Sequence, residues 1–220
     1  MLNPFRALLA AAALAAATPA AAAVSVTLTN QGDPNTLPAG QVLIADFNDA
    51  LHPTAVLVDG VTLTLSGATV GFHEGYSGYS GTLPNDPTHY LTVPGGKSAT
   101  FESTRALSMF SLFMGSPDTY NWVEFFGDGG YHEILSGSSM FLGDTNQSWS
   151  WGKRVNFDFG GYNVNKIVLS STGNSFEVDN AAGTFQPGAV PEPATWAMMI
   201  MGFGAIGATI RRRRVSASLA

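Results

Sequence analysis

Apolar and polar residues alternate with period two in several short stretches of this chain. Val24-Ser25-Val26-Thr27-Leu28, Val61-Thr62-Leu63-Thr64-Leu65 and Val155-Asn156-Phe157-Asp158-Phe159 each collect one apolar face, the pattern of a half-buried strand. Leu107 to Met114 and Trp122 to Phe126 are apolar on both faces and predict central strands. Gln41 to Phe47, Tyr90 to Val93, Lys166 to Ser170 and Ser175 to Asp179 complete the set. Asp59-Gly60, Pro94-Gly95-Gly96, Gly127-Asp128-Gly129-Gly130 and Ser171-Thr172-Gly173-Asn174 punctuate them as turns. Gly71 to Pro87, containing Gly75-Tyr76-Ser77-Gly78-Tyr79-Ser80-Gly81, predicts a long irregular loop of the kind that carries binding on a rigid scaffold. No stretch of the central region keeps a helical period. Roughly ten to twelve strands in one domain of this length predict an all-β fold, a single antiparallel β-sandwich of jelly-roll type.

The two ends break this pattern. At the N-terminus, Arg6 precedes the apolar run Ala7 to Ala17, and Ala21-Ala22-Ala23 supplies small residues at a cleavage position. Residues 1–23 therefore predict a secretory signal peptide, cut after Ala23. At the C-terminus, Pro191-Glu192-Pro193 is followed by 17 uncharged residues, Ala194 to Ile210, and then by Arg211, Arg212, Arg213 and Arg214. Seventeen helical residues span about 25 Å, the short limit for crossing a bilayer. The arginines hold the helix end in the cytoplasm and place everything before it outside. Gly202, Gly204 and Gly207 permit close approach of another membrane helix, and the prolines around Glu192 keep that segment extended. The expected division is a signal peptide at 1–23, a sandwich ectodomain at 24–181, a linker at 182–190, a sorting segment at 191–214 with its membrane helix at 194–210, and a cytoplasmic tail at 215–220.

Pro191-Glu192-Pro193, Trp196-Ala197-Met198-Met199, Gly202-Phe203-Gly204, Gly207 and the arginine block closely resemble the PEP-CTERM sorting signal of exosortase-dependent proteins in Gram-negative bacteria. The resemblance implies recognition by an exosortase at the inner membrane and cutting near the Pro-Glu-Pro motif. It also implies a producer of extracellular polysaccharide, biofilm or floc matrix. Val215 to Ala220 extend past the arginines, where such chains often stop. Ser116-Pro117-Asp118-Thr119-Tyr120-Asn121 and Phe176-Glu177-Val178-Asp179-Asn180 are also similar to stretches of other exosortase-dependent surface proteins, and imply a β-sandwich with no enzymatic activity.

Subtracting the ends changes the charge. Residues 24–190 keep five basic residues (Lys97, Arg105, Lys153, Arg154, Lys166) against fifteen of the sixteen acidic ones, a net charge of −10. That sign argues against nucleic acid or anionic lipid as a partner. The chain has no cysteine, so thiolate zinc sites, iron–sulfur clusters and thiol nucleophiles are excluded and the core must hold without disulfides.

Catalytic chemistry is hard to find. His73-Glu74 and His132-Glu133 lack the second histidine of a zincin helix, and no Gly-x-Ser-x-Gly occurs. Glu124, Asp128, Glu133 and Asp158 offer carboxylates for glycoside hydrolysis, but fifteen acidic residues always supply some pair. Trp149 and Trp151 share one strand face and, with Trp122, Tyr76 and Tyr79, can form a platform for sugar rings or fill the core. Asp46 in Ile44-Ala45-Asp46-Phe47-Asn48 and Asp179 in Val178-Asp179-Asn180 resemble the first and last strands of carbohydrate-binding jelly-roll modules. That resemblance implies a structural calcium, whose carboxylate ligands these would be; turn capping is the other role for such residues. The resulting expectation is a non-enzymatic surface or matrix protein, structural or adhesive within extracellular polysaccharide. It has no cofactor other than that calcium, and its alternatives are a glycan-binding module using Trp149 and Trp151 or a carbohydrate-active enzyme.

Overall fold

The structure, a computed structural model, describes residues 24–29, 34–71, 83–84, 86–142, 151–187, 200–201 and 203. It is almost entirely antiparallel β-sheet: β1 (Ser25–Thr29), β2 (Val42–Ala45), β3 (Val61–Ser66), β4 (Thr69–Gly71), β5 (Tyr90–Val93), β6 (Lys97–Met114), β7 (Asn121–Gly127), β8 (His132–Ser136), β9 (Lys153–Asp158), β10 (Val164–Ser171) and β11 (Phe176–Phe185). A 3-10 turn at Asp128–Gly130 and a four-residue helix, Gly137–Met140, are the helical pieces between them. The alternating sequence of β3 behaves as its period dictates: Val61 and Leu63 are buried, Thr62 and Thr64 exposed.

The 18-residue strand β6 organises the rest. Its first half, Lys97 to Leu107, lies between β3 and β10, and β10 continues the sheet to β7 and β8. Its second half, Met109 to Met114, lies between β9 and β11. There β9 carries β1 at the edge, while β11 carries β5 and β4 at one end and β2 at the other. Two sheet halves thus share one strand, and their apolar faces meet. Phe125 of β7 touches both Phe157 and Phe159 at 5.0 Å between ring centroids, and Phe101 and Phe110 lie 5.7 Å apart along β6. Full burial of each such ring contributes about 1.5–3 kcal/mol, and a cysteine-free domain depends on that core.

Several elements differ from the sequence reading. β6 starts ten residues before Leu107, because Ala99 and Phe101 point inward and carry the pleat through a polar stretch. β8 was not predicted; its short His132-Glu133-Ile134-Leu135-Ser136 buries only Leu135. β7 is central by pairing, but Trp122, Glu124 and Phe126 are only half-buried, so one of its faces is not core. β11 runs to Phe185, so sheet pairing enters the segment expected to be linker. The signal peptide, most of the predicted loop at 71–87, and the sorting segment apart from Ile200, Met201 and Phe203 lie outside the described residues. Those three are helical and 69, 62 and 69 % exposed, and among the described residues no helix is long and apolar enough to cross a membrane.

Candidate functional site

β11 presents opposite chemistry on its two faces. Phe176, Val178 and Ala181 join the aromatic core. Glu177 and Asp179 leave the other face, yet they are buried too, at 7 and 0 % exposure. Alternation of apolar and acidic residues ordinarily marks a face turned to water; here the acidic face is covered. Phe113 of β6 sits in register between Asp179 on β11 and Arg154 on β9. Phe113 also joins Tyr90 and Leu83 in a small apolar cluster separate from the main core.

A bulge shapes the polar end of this face. The register of β11 against β6 shifts between Asp179 and Ala182, and Asn180 takes the left-handed conformation at φ +46°. Its carbonyl thereby accepts a hydrogen bond of 2.9 Å from Arg154 Nη1, which also donates to Ser111 Oγ at 3.0 Å, while Nη2 donates to the Pro34 carbonyl at 2.7 Å. Arg154 is fully buried. Burial lowers its pKa to about 10 against the opposing pull of Asp179.

Asp179 and Asp86 form the acidic centre. The Asn180 carboxamide donates to Asp179 Oδ2 at 3.0 Å, and Asp86 Oδ1 accepts from the backbone N–H of Thr88 at 2.9 Å and from its hydroxyl. Burial, followed by the neighbouring Asp86 carboxyl and then Asp46, raises the Asp179 pKa well above the carboxylate range. The sequence reading paired Asp179 with Asp46. The structure puts Asp86 against Asp179 instead, and Asp46 caps its own turn by accepting from Asn48 N–H at 3.1 Å. Asp86 carries no local signal in Pro84-Asn85-Asp86-Pro87; only the tertiary fold brings it to β11.

Glu177 belongs to a neighbouring polar knot. It accepts from the Ser175 hydroxyl, and burial, then Asp118 after the opposing Ser175 bond, raises its pKa to about 7. Ser116-Pro117-Asp118-Thr119-Tyr120-Asn121 is the turn packed there. Ser116 Oγ donates to Asp118 at 2.8 Å, Asn121 N–H to the Asp118 carbonyl at 2.9 Å, and Tyr120 hydroxyl to the Asn174 carbonyl at 3.0 Å. Desolvation and Asp118 push the Tyr120 hydroxyl up to about 12. The turn joins β6 to β7 and supports β11.

Three of the carboxylates considered for glycoside hydrolysis hold separate structural contacts. Glu124 pairs with His132 at 3.2 Å, Asp128 accepts from Asn163 at 3.1 Å, and Asp158 caps Gly160 N–H at 2.9 Å. Glu124 lies opposite Ile134 and Glu133 opposite Phe125, so these two leave opposite faces of the hairpin. Trp151 is 3 % exposed and meets Phe141 edge-on at 6.2 Å between centroids, so it packs as core; Trp149, Tyr76 and Tyr79 lie outside the described residues. Among the described residues, no three His, Asp or Glu side chains are spaced to hold a metal by themselves. An open groove of about 500 Å³ lies beside the end of β11, lined by Val42, Leu57, Asp59, Arg105 and Phe185, with the Arg105 guanidinium 4.3 Å above the Phe185 ring. Sequence pattern gave no sign of it, because its walls come from four separate segments.

Comparison with known proteins adds the tail. Residues 189–214 match the PEP-CTERM protein-sorting motif, covering Pro191, Glu192, Pro193, Trp196, Gly202, Gly204 and the arginines Arg211 to Arg214. No curated protein sequence matches the chain. Among solved structures, the catalytic unit of a GH87 α-1,3-glucanase from Streptomyces thermodiastaticus aligns at 16 % identity and TM-score 0.30, covering 61 % of this chain and 28 % of the glucanase. A family 11 carbohydrate-binding module from the Clostridium thermocellum cellulase Lic26A-Cel5E aligns at 12 % identity and TM-score 0.20, covering 68 % and 97 %. The enzymatically active domain of tailspike protein 4 from bacteriophage CBA120 aligns at 12 % and 0.22, covering 58 % and 20 %. The chain spans less than a third of the glucanase, and likenesses this distant leave the ectodomain's work to its own residues.

Proposed function

We propose that this chain, a PEP-CTERM protein held at the membrane as a precursor, processed by an exosortase and exported to the surface or extracellular space, is a non-enzymatic β-sandwich that serves the extracellular polysaccharide matrix as a structural or adhesive component. The single observation that carries this reading is the sorting motif at residues 189–214. The four arginines and the apolar run before them supply a membrane helix whose C-terminal end stays inside, and the exposed, helical Ile200, Met201 and Phe203 suit a lipid-facing surface. The two sheet halves sharing β6, with aromatic faces in contact, support the sandwich. Glu124 and Glu133, which leave opposite faces of their hairpin, cannot work as a pair, and this supports a non-catalytic role. The groove between Val42, Leu57 and Phe185 gives an adhesive ectodomain an apolar surface with charged groups at hand, the composition on which sugar rings stack.

Fractionation of the producing cells tests this reading. The mature protein is expected in the polysaccharide fraction, and deletion of its gene is expected to weaken matrix cohesion without changing the sugars released. Release of shorter oligosaccharides by the purified chain would replace the structural role with an enzymatic one.

A further inference from the structure

The sheet half that runs β3, β6, β10, β7, β8 sends Leu63, Phe101, Ile167, Phe125 and Leu135 into the core. The side chains between them leave the opposite face, and each is half-buried or exposed. Strand register arranges that face in straight rows. Trp122 stands between Ser136 and Ser170, and Ser98 and Ser66 continue its row to β3. The next row begins Ile134, Glu124, Val168 and ends in threonines; the third runs His132, Phe126, Lys166, Glu102. Strands lie about 4.8 Å apart, so a row of five presents one side chain at that interval over roughly 19 Å.

The rows differ in how far their groups are already engaged. In the third, His132 stacks on the Phe126 ring at 4.4 Å and Lys166 Nζ lies 5.5 Å from its centroid, so the ring is enclosed. Lys166 also pairs with Glu102 at 3.5 Å, and His132 lies 3.2 Å from Glu124. The Trp122 row has no such contacts: its indole is flanked by small side chains, and among the described residues no ring, hydrogen bond or ion pair engages it. The hydroxyls of Ser170, Ser98 and Ser66 are likewise without a hydrogen bond among the described residues. An indole with open flanks, continued by a line of free hydroxyls, fits a ligand with flat apolar faces and polar edges, as a sugar ring has. Charge narrows the class. The ammonium of this face is committed to Glu102, so a uronate or sulfated sugar finds no free cation there, and residues 24–190 carry −10. A protein partner wants an apolar centre depleted of charge, whereas here Glu124 separates Ile134 from Val168.

We propose that this face binds an uncharged, extended polysaccharide of the β-1,4-linked kind, laid across the strands along the Trp122 row. One ring stacks on the indole, and its neighbours hydrogen-bond to Ser170, Ser98 and Ser66. A straight row on a sheet suits a ribbon-like chain, whose rings lie flat in succession, better than a coiled one. The inference rests on the matrix reading above and names a polysaccharide class for it, at residues other than those of the groove. The structure also separates the tryptophans: Trp122 is on the open face, while Trp151 is core.

Calorimetric titration of the full chain, in a detergent without a sugar headgroup, tests the site with cellohexaose, mannohexaose and xylohexaose, and with hexagalacturonate as the charged comparison. At least one neutral hexaose is expected to bind saturably, and hexagalacturonate about tenfold more weakly or not at all. Trp122→Ala should lower the affinity about tenfold. Ser170→Arg, which sets a long side chain in the row and leaves the core face unchanged, should lower it as much; if Trp122→Ala does not fold, Ser170→Arg decides alone. No binding of any neutral hexaose would overturn the site, as would tighter binding of hexagalacturonate or wild-type affinity in both variants. Binding lost in Arg105→Ala but kept in Trp122→Ala would move the glycan to the groove, overturning this site and leaving the matrix reading in place. Failure of the matrix reading itself is seen elsewhere, as absence of the mature protein from the polysaccharide fraction of the cells.

Discussion

The two faces of β11 are equally buried and are held by unlike physics. Inward, Phe176 and Val178 need only shape and apolar area, and the buried cluster they share with Val93, Leu91 and Met114 supplies both. Outward, Glu177, Asp179 and Asn180 need specific partners at specific distances: Ser175, Arg154, Thr88 by way of Asp86, and the Asp118 turn. A core of the first kind tolerates substitutions that conserve volume, whereas a polar layer of the second kind fails when one member is removed. The difference explains why a strand with a simple alternating sequence has no solvent face.

The largest effect is expected on the apolar side. Phe157→Ala should cost about 3–5 kcal/mol, since the ring touches Phe110 and Phe125 and leaves a cavity that neighbouring strands cannot close. Denaturant unfolding measures it, and a loss below about 1 kcal/mol would mean the two halves are less closely packed than the ring contacts state. On the polar side, Arg154→Met keeps length but strands the Asn180 and Pro34 carbonyls and leaves Asp179 without its cation. A loss of about 3 kcal/mol is expected, reversed in part when Asp179→Asn is added. An additive double variant would break the claim that they form one layer.

Glu177 makes the comparison dependent on pH. Its pKa is raised from 4.5 to about 7 by burial, so below pH 4.5 folded and unfolded chains both hold the proton and no penalty exists. Between pH 4.5 and 7 the unfolded chain has released the proton while the folded chain keeps it, so stability falls as pH rises and levels off above 7. This contribution is on the order of 1–3 kcal/mol and should vanish in Glu177→Gln, seen as a flatter Tm against pH. The smallest effect belongs to a half-exposed pair: Glu124→Gln, which loses the His132 contact on the outer face of β7, should change stability by no more than about 0.5 kcal/mol. A larger loss would show that this face is covered as that of β11 is.

How much of this was legible follows from where the signal is stored. Val61 to Leu65, Tyr90 to Val93 and Val155 to Phe159 state their strands locally, and the structure forms them. Lys97 to Ala106 hid half of the longest strand, because Glu102 and Arg105 interrupt its apolar count while Ala99 and Phe101 keep its pleat. The burial of Glu177 and Asp179 has no local sign, because the groups packed against them, Asp118 and Asp86, are distant in sequence and polar themselves. Asp46 was found for its likeness to another module's strand; Asp86, nearer to Asp179, offered no pattern at all. The Trp149 and Trp151 platform depended on spacing, which fixes a shared face but not which way that face turns; Trp151 turns inward. The sorting segment was fully legible, since recognition there uses a linear order of Pro-Glu-Pro, apolar helix and arginines rather than a fold.

The most direct test is the mass of the mature protein recovered from the producing cells, with Pro191-Glu192-Pro193 intact or replaced by alanines. Exosortase sorting predicts a product ending near the motif for the intact chain, and an uncut, membrane-held form for the substituted one. An identical mature mass, released from both, would contradict processing at this motif and remove the ground on which the ectodomain's role is assigned.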